Sequence, residues 1–126
     1  MTQFIISIDQ STSGTKALLI NKAGNIVYNL STSHEQIYPK PGWVEHNPLE
    51  IYHNCLSLIQ QLLKDKQLTP RDIQFLSITN QRETALIWDK KTSETIYPAI
   101  VWQCRRTATD CEQLKASEPT VTEKTG

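Results

Sequence analysis

Apolar residues gather in short runs at the start of the chain, and their period changes about a third of the way along it. Residues 4–8 form one run rich in β-branched side chains, residues 16–20 a second, and residues 25–30 a third with a more alternating pattern. Short runs of this kind predict β-strands. Residues 21–25, Asn-Lys-Ala-Gly-Asn, have the composition of a hairpin turn. Three strands on such short links predict an antiparallel meander. The nearly unbroken apolar character of the first two predicts that both of their faces are covered.

Beyond a loop around Pro39-Lys40-Pro41-Gly42 the period becomes helical. Asn47 is placed as an N-cap, Pro48 as the first helical residue, and Glu50 completes a capping-box pattern. Tyr52, Cys55, Leu56, Ile59, Leu62 and Leu63 then fall on one face, and the cationic turn at 64–66 suits the helix end. Residues 69–72 connect to a further strand at 73–79. Strand, helix and strand in that order predict a parallel crossover onto the same sheet. Residues 85–89 and 95–97 predict a small hairpin about the polar stretch 90–94. Residues 107–116 predict a helix with Ala108, Cys111 and Leu114 or Lys115 on one stripe, and the last ten residues are polar without a clear period. The class is α/β: a three-strand antiparallel meander extended by a crossover helix and a parallel strand, with a small β-hairpin insertion.

Composition narrows the functions open to this chain. Its 126 residues suffice for one ordinary core. Thirteen basic residues balance 13 acidic ones, leaving no electrostatic footprint for nucleic acid or an anionic membrane. Cys55, Cys104 and Cys111 are odd in number and form no CxxC pair, which argues against a disulfide framework or zinc site and favours a reducing cytoplasm. Apolar runs never approach membrane-spanning length. His34, His46 and His53 lack metal-ligand spacing and read as surface or loop residues. Trp43 and Trp88 read as packing residues.

Three polar segments have the residue types for chemistry. Asp9-Gln10-Ser11-Thr12-Ser13-Gly14-Thr15-Lys16 concentrates hydroxyls, a glycine, a carboxylate and a lysine at the first hairpin. Backbone amides and hydroxyls there suit phosphate oxygens, Lys16 adds a point charge, and Asp9 suits Mg²⁺ held through water. An ordinary polar turn has the same composition. Asn80-Gln81-Arg82-Glu83-Thr84 follows the crossover strand, and ligands of open α/β sheets gather at strand carboxyl ends. Arg82 with Glu83 has the donors and acceptors for a polyhydroxy substrate, although a lone Arg-Glu pair equally fits a solvated loop. Trp102, within Val101-Trp102-Gln103-Cys104-Arg105-Arg106-Thr107, suits either a sugar's carbon face or the core, and the two arginines either a domain interface or the surface.

These segments resemble the glycerol kinases of the FGGY carbohydrate kinase family, which share the actin-like ATPase (ribonuclease-H-like) fold. The resemblance runs from Ile5 to about Leu114. It rests most on Pro41-Gly42-Trp43-Val44-Glu45-His46, Thr79-Asn80-Gln81-Arg82-Glu83-Thr84 and Ile100-Val101-Trp102-Gln103-Cys104-Arg105-Arg106-Thr107. It implies that residues 1–126 are an incomplete N-terminal, substrate-binding domain of a two-domain kinase that phosphorylates glycerol to sn-glycerol 3-phosphate with ATP and Mg²⁺. By position, Arg82, Glu83 and Trp102 match the glycerol pocket, Thr12, Ser13, Gly14 and Lys16 the ATP phosphate hairpin, and Asp9 the carboxylate near magnesium. Where glycerol kinases usually read Asp-Gln-Gly-Thr-Thr-Ser-Ser-Arg, this hairpin places Gly14 later, as the expected source of positive-φ freedom, and ends in Lys16. That hairpin resembles other polyol and sugar kinases of the family, so another polyol or a ketose is the alternative substrate; a non-catalytic binding module is a third reading. The resemblance places the catalytic base beyond Gly126 and implies that this chain alone is inactive. A partial core also predicts exposed edges and self-association into a homo-oligomer.

Overall fold

The computed structural model describes residues 3–125. Its main sheet has the order β3-β2-β1-β5, built from β1 (Phe4–Gln10), β2 (Gly14–Ile20), β3 (Ile26–Ser33) and β5 (Ile73–Thr79). β1, β2 and β3 pair antiparallel as the predicted meander, and β5 joins β1 in parallel after the crossover helix α1 (Pro48–Asp65). The hairpin between β2 and β3 turns on Gly24 at φ +82°, a conformation that costs glycine little. The Asn21 carboxamide oxygen closes that turn by accepting from the amides of Ala23 and Asn25.

The core lies between one face of this sheet and α1. Ile6 and Ile8 of β1 and Ala17 and Leu19 of β2 alternate inward against Leu58 and Leu62. Contrary to the expectation of two covered faces, the opposite face carries half-buried Ile5, Ser7, Leu18 and Ile20 and exposed Asp9 and Lys16. The continuous apolar run lost its alternation only in residue type, because among the described residues a single helix covers the sheet. β5 is an edge strand, and Phe75, Leu76 and Ile78 are all largely exposed.

The start of α1 follows its sequence signal in part. Asn47 Oδ1 accepts from the amides of Leu49 at 3.0 Å and Glu50 at 3.4 Å, with Pro48 next to the cap. Glu50 does not close a capping box. Its carboxylate instead accepts from the amide of Glu35 at 3.1 Å, tying the end of β3 to the helix. The packed face follows the expected stripe at Leu62, Cys55, Ile59 and Leu63 but adds Leu58 and leaves Tyr52 and Leu56 exposed. A helix seated flat on a sheet buries one narrow row, and Tyr52 and Leu56 lie beside it. The helix ends at Lys66, after which Gln67 takes φ 53° and the Leu68 amide returns to the Leu63 carbonyl. That left-handed closure is usually glycine's.

A second small sheet went unforeseen. β4 (Glu45–His46) pairs antiparallel with β6 (Ala99–Ile100), and single bridges add Ile37 and Ala85 at its edges. The predicted hairpin of 85–97 is present as a tight reversal about residues 90–94, held by the Trp88–Thr95 bridge with the Ile96 amide on the Ile87 carbonyl and the Asp89 amide on the Glu94 carbonyl, but its arms do not extend into regular strands. Leu86, Ile87, Trp88 and Ile96 are exposed there, with too little packing to hold a ladder; Trp88 is therefore not a packing residue. At the C-terminal side, α2 (Ala108–Gln113), a 3₁₀ turn (Leu114–Ser117) and α3 (Glu118–Thr125) follow in succession. Helix thus continues past the predicted 116, without burying any residue. Cys111 is exposed; Cys55 and Cys104 are half-buried and unpaired. No helix among the described residues is long and apolar enough to cross a membrane.

The core makes one direct prediction. Leu62 is fully buried beneath β1 and β2, so Leu62→Ala should cost about 2–5 kcal/mol. Urea unfolding of the two proteins measures that difference, and a cost below about 1 kcal/mol would place α1 elsewhere.

Candidate functional site

The carboxyl ends of β1 and β5 lie side by side, because the parallel register pairs Asp9 with Thr79. The Thr79 hydroxyl donates to Asp9 Oδ1 at 3.0 Å, so the exposed carboxylate is held at the mouth of the sheet. On its other side β1 turns into the β1–β2 hairpin. There Ser11 uses both its amide and its hydroxyl on the Gly14 carbonyl, each at 2.9 Å. Thr12 and Ser13 therefore form the tip, and neither has a positive φ.

Gly14 does not supply positive-φ freedom, contrary to expectation. Its role is close approach: a Cβ at this position would run into the backbone carbonyl oxygen of Thr32 on β3. The glycine lets the hairpin lie tight against the third strand. Lys16 stands opposite Asp9 in the ladder and is exposed.

Asp9, Gln10, Ser11 and Thr12 face Asn80, Gln81, Arg82 and Glu83 across an open cleft of about 390 Å³, with Trp102 closing one side. The Trp102 indole donates from Nε1 to Thr12 Oγ1 at 2.9 Å, joining the loop after β6 to the hairpin tip. Trp102 is half-exposed, so its ring is a wall of the cleft rather than part of the core. Glu83 adopts φ 62°, a left-handed conformation rare for a non-glycine residue. Such local strain concentrates at binding and catalytic sites.

A neighbouring depression of about 300 Å³ is lined by Ser13, Gly14 and Lys16 with residues 31–33. Asp9 and Ser11 border both spaces. The eight residues singled out in the sequence thus fall into two adjoining groups. Asp9, Thr12, Arg82, Glu83 and Trp102 share the cleft, and Ser13, Gly14 and Lys16 surround the space beside it. The donors fit the groups expected of them. One exposed carboxylate with hydroxyls and backbone amides suits a hydrated Mg²⁺ carried by phosphates, and among the described residues no cluster of three His, Cys, Asp or Glu forms an all-protein metal cage.

Several supporting residues were invisible in the sequence. Arg106 is neither a surface residue nor a free anion contact. Its Nη2 meets Glu45 Oε1 at 2.6 Å, its Nε donates to Cys104 Sγ at 2.9 Å, and its guanidinium lies 3.9 Å from the Trp43 ring centre. Tyr97 donates its hydroxyl to the same Glu45 oxygen. This pair, Glu45 buried and Arg106 half-buried, fixes the segment carrying Trp102 to β4. Only the neighbouring charged and aromatic residues hinted at it, and a spacing of 61 positions has no local signal.

His46 is fully buried and His34 nearly so, against the expectation of surface roles; their rings meet edge to face at 4.5 Å. Burial, and secondarily His34, push the His46 pKa below the ordinary imidazole range, with Glu50 partly opposing.

With this geometry in hand, the class is a sugar-kinase-like α/β domain whose site opens at the strand carboxyl ends. Residues 4–126 match the N-terminal domain of the FGGY family of carbohydrate kinases, and the chain belongs to that family. It is 46% identical over 125 residues to glycerol kinase 1 of Thermotoga maritima, covering 98% of this chain and 25% of that one. It is 51% identical over 116 residues to the glycerol kinase of Leifsonia xyli, covering 92% and 23%. The crystal structure of Plasmodium falciparum glycerol kinase with ADP superposes with a TM-score of 0.81 at 38% identity, over 91% of this chain and 23% of that one. A gluconate kinase from Lactobacillus acidophilus shares the fold, with a TM-score of 0.83 at 21% identity. The architecture is accordingly part of the actin-like ATPase fold of these sugar kinases. The chain spans about a quarter of the length of the relatives it matches.

Two predictions follow from the backbone and the buried ring. Glu83→Val should destabilise by about 1–3 kcal/mol, since a β-branched residue tolerates positive φ poorly, whereas Glu83→Gly should cost less than about 1 kcal/mol; thermal unfolding compares them. For His46 the folded pKa lies below the unfolded value of about 6.5, so the unfolded chain binds more protons between the two. Stability is then full above about pH 6.5 and falls as pH drops through that window. Melting temperature measured from about pH 7.5 to 5 should show this loss, and His46→Phe should remove that component of it.

Proposed function

We propose that the polypeptide containing this chain transfers the γ-phosphoryl group of ATP to a terminal hydroxyl of glycerol, giving sn-glycerol 3-phosphate. In this reading residues 1–126 are the substrate-facing part of an N-terminal domain, and the enzyme works in the cytoplasm. The observation that carries it is the meeting of Arg82, Glu83 and Trp102 with the Asp9 hairpin in one cleft.

The chemistry suits these residues. Arg82 offers a planar fork of donors and Glu83 accepts hydroxyl protons, so together they orient a polyol through its oxygens. Trp102 covers its carbon face. Thr12, Ser13 and Gly14 present hydroxyls and amides toward phosphate, and Lys16 adds a compact positive charge. Asp9 would hold Mg²⁺, largely through its waters. When bound, the metal neutralises charge on the transferring phosphoryl group. Asp9 is given to the metal and Glu83 to the substrate, so we assign the general base to polypeptide beyond Gly126 and expect this chain alone to be inactive.

The hairpin sequence favours one second reading, a kinase for another polyol or a ketose. Lys16 gives a point charge in place of a fork, and a xylulose kinase from Brucella ovis superposes with a TM-score of 0.82 at 27% identity. The exposed apolar edge of β5 also supports self-association of the isolated chain.

Coupled ADP release with Mg-ATP, on this chain and on the product of its extended reading frame, tests the proposal. Turnover with glycerol by the extended product alone is expected. Arg82→Ala or Glu83→Gln should lower its kcat/KM by about 10–100-fold, the loss of a charged hydrogen bond. Turnover by the short chain would overturn the assignment of the base, and preference for a ketose over glycerol would favour the second reading.

A further inference from the structure

Behind the cleft runs a continuous chain of side-chain hydrogen bonds from one rim to the other. The Thr12 carbonyl, at the hairpin tip, accepts from Gln36 Nε2 at 3.0 Å. Gln36 Oε1 is 2.9 Å from His46 Nε2. On the far side of the ring, His46 Nδ1 is 3.2 Å from Gln81 Nε2. Gln81 lines the cleft and is followed directly by Arg82 and Glu83.

The direction of every link is set from the first. A backbone carbonyl only accepts, so Gln36 must present its amide nitrogen to Thr12 and its oxygen to the ring. His46 Nε2 must then carry the proton, which leaves Nδ1 of a neutral ring as an acceptor. Nδ1 in turn calls for the amide nitrogen of Gln81. The Gln81 oxygen is thereby left buried without a partner among the described residues. The acceptor at Nδ1 thus fixes which way the Gln81 amide faces.

This chain is costly for a merely structural filler. His46 is wholly buried, and apolar contacts would fill the same volume without desolvating polar groups. The linked side chains hold the elements they join in one relative arrangement, since each hydrogen bond fixes the orientation of the next. The elements joined here are the β1–β2 hairpin, the strand β4 and the loop after β5; the hairpin and the loop leave the main sheet at its last pair, Asp9 and Thr79, and β4 lies outside that sheet.

We propose that Gln36, His46 and Gln81 form a positioning relay that sets the spacing between the hairpin rim and the Arg82–Glu83 rim of the cleft. None of the three transfers a group to substrate. Gln36 and His46 act through Thr12 and Gln81, and the relay works only with a neutral His46 ring. The inference rests on the reading of the cleft as a polyol site, and its test separates the two.

The test uses the full polypeptide encoded with this segment. Ring ¹⁵N shifts of His46 need no substrate and are expected to show the Nε2-protonated tautomer at neutral pH. A ring protonated at Nδ1 overturns the relay, whatever the enzyme phosphorylates. Steady-state kinetics then compare Gln36→Leu, His46→Phe and the double variant, each with its melting temperature. Each single variant should raise the KM for glycerol about tenfold with kcat within about threefold, and the double should match the worse single within about twofold, because one connection is cut either way. Unchanged KM in Gln36→Leu, or effects that multiply in the double, would overturn the proposal. If His46→Phe fails to fold, Gln36→Leu and the tautomer decide it. If the wild type turns over another polyol instead, the substrate reading falls and the same comparison is made with that polyol.

Discussion

The arrangement of this domain hangs on the parallel pairing of β1 with β5. Because both strands run the same way, their carboxyl ends open on one side, and the register sets Asp9 beside Thr79. Apart from Trp102, every residue proposed to meet substrate or phosphate lies on or beside these strands and the hairpin and loop that leave them. The hairpin after β1 and the loop after β5 have nowhere to go but toward each other. A parallel pair needs a crossover, and α1 supplies it while burying Leu58 and Leu62 on the sheet. The burial that stabilises the domain and the geometry that builds the cleft are therefore one structural event.

The third wall of the cleft depends on a different kind of contact. Trp102 follows β6, which is only two residues long, so backbone pairing alone holds it weakly. The Glu45–Arg106 pair, the Trp43 ring and the Tyr97 hydroxyl reinforce it. Breaking such a buried pair by removing one partner is strongly destabilising, since it strands a charge. Placing it next to a short strand gives a loop the rigidity that a binding wall requires. On the opposite rim, Glu83 takes a left-handed conformation in the loop that follows β5.

Much of the framework was legible from local pattern. The meander, the crossover and the N-cap at Asn47 each depend on residues close in sequence, where period, turn composition and capping chemistry act directly. The helix face was read in part: Leu62 is buried as expected and Cys55, Ile59 and Leu63 pack beside it, whereas Tyr52 and Leu56 are exposed and Leu58 takes the remaining buried place. The hairpin of 85–97 closes where its composition placed it, yet without burial its arms hold a single bridge rather than a ladder. Gly14 was expected to matter for its backbone freedom and matters instead for the missing Cβ, which only the approach of Thr32 reveals.

By itself the amino-acid sequence determined the class of fold and marked the residues proposed to meet polyol and phosphate, because strands, caps and charged motifs are written over a few neighbouring positions. Their convergence was a tertiary matter. Thr12 meets Trp102 across 90 positions and Thr79 meets Asp9 across 70. The buried histidines, the Glu45–Arg106 pair and the chain of amides behind the cleft arise where separate segments dock. Contacts of that separation leave no period in the sequence, and only the packed fold decides them.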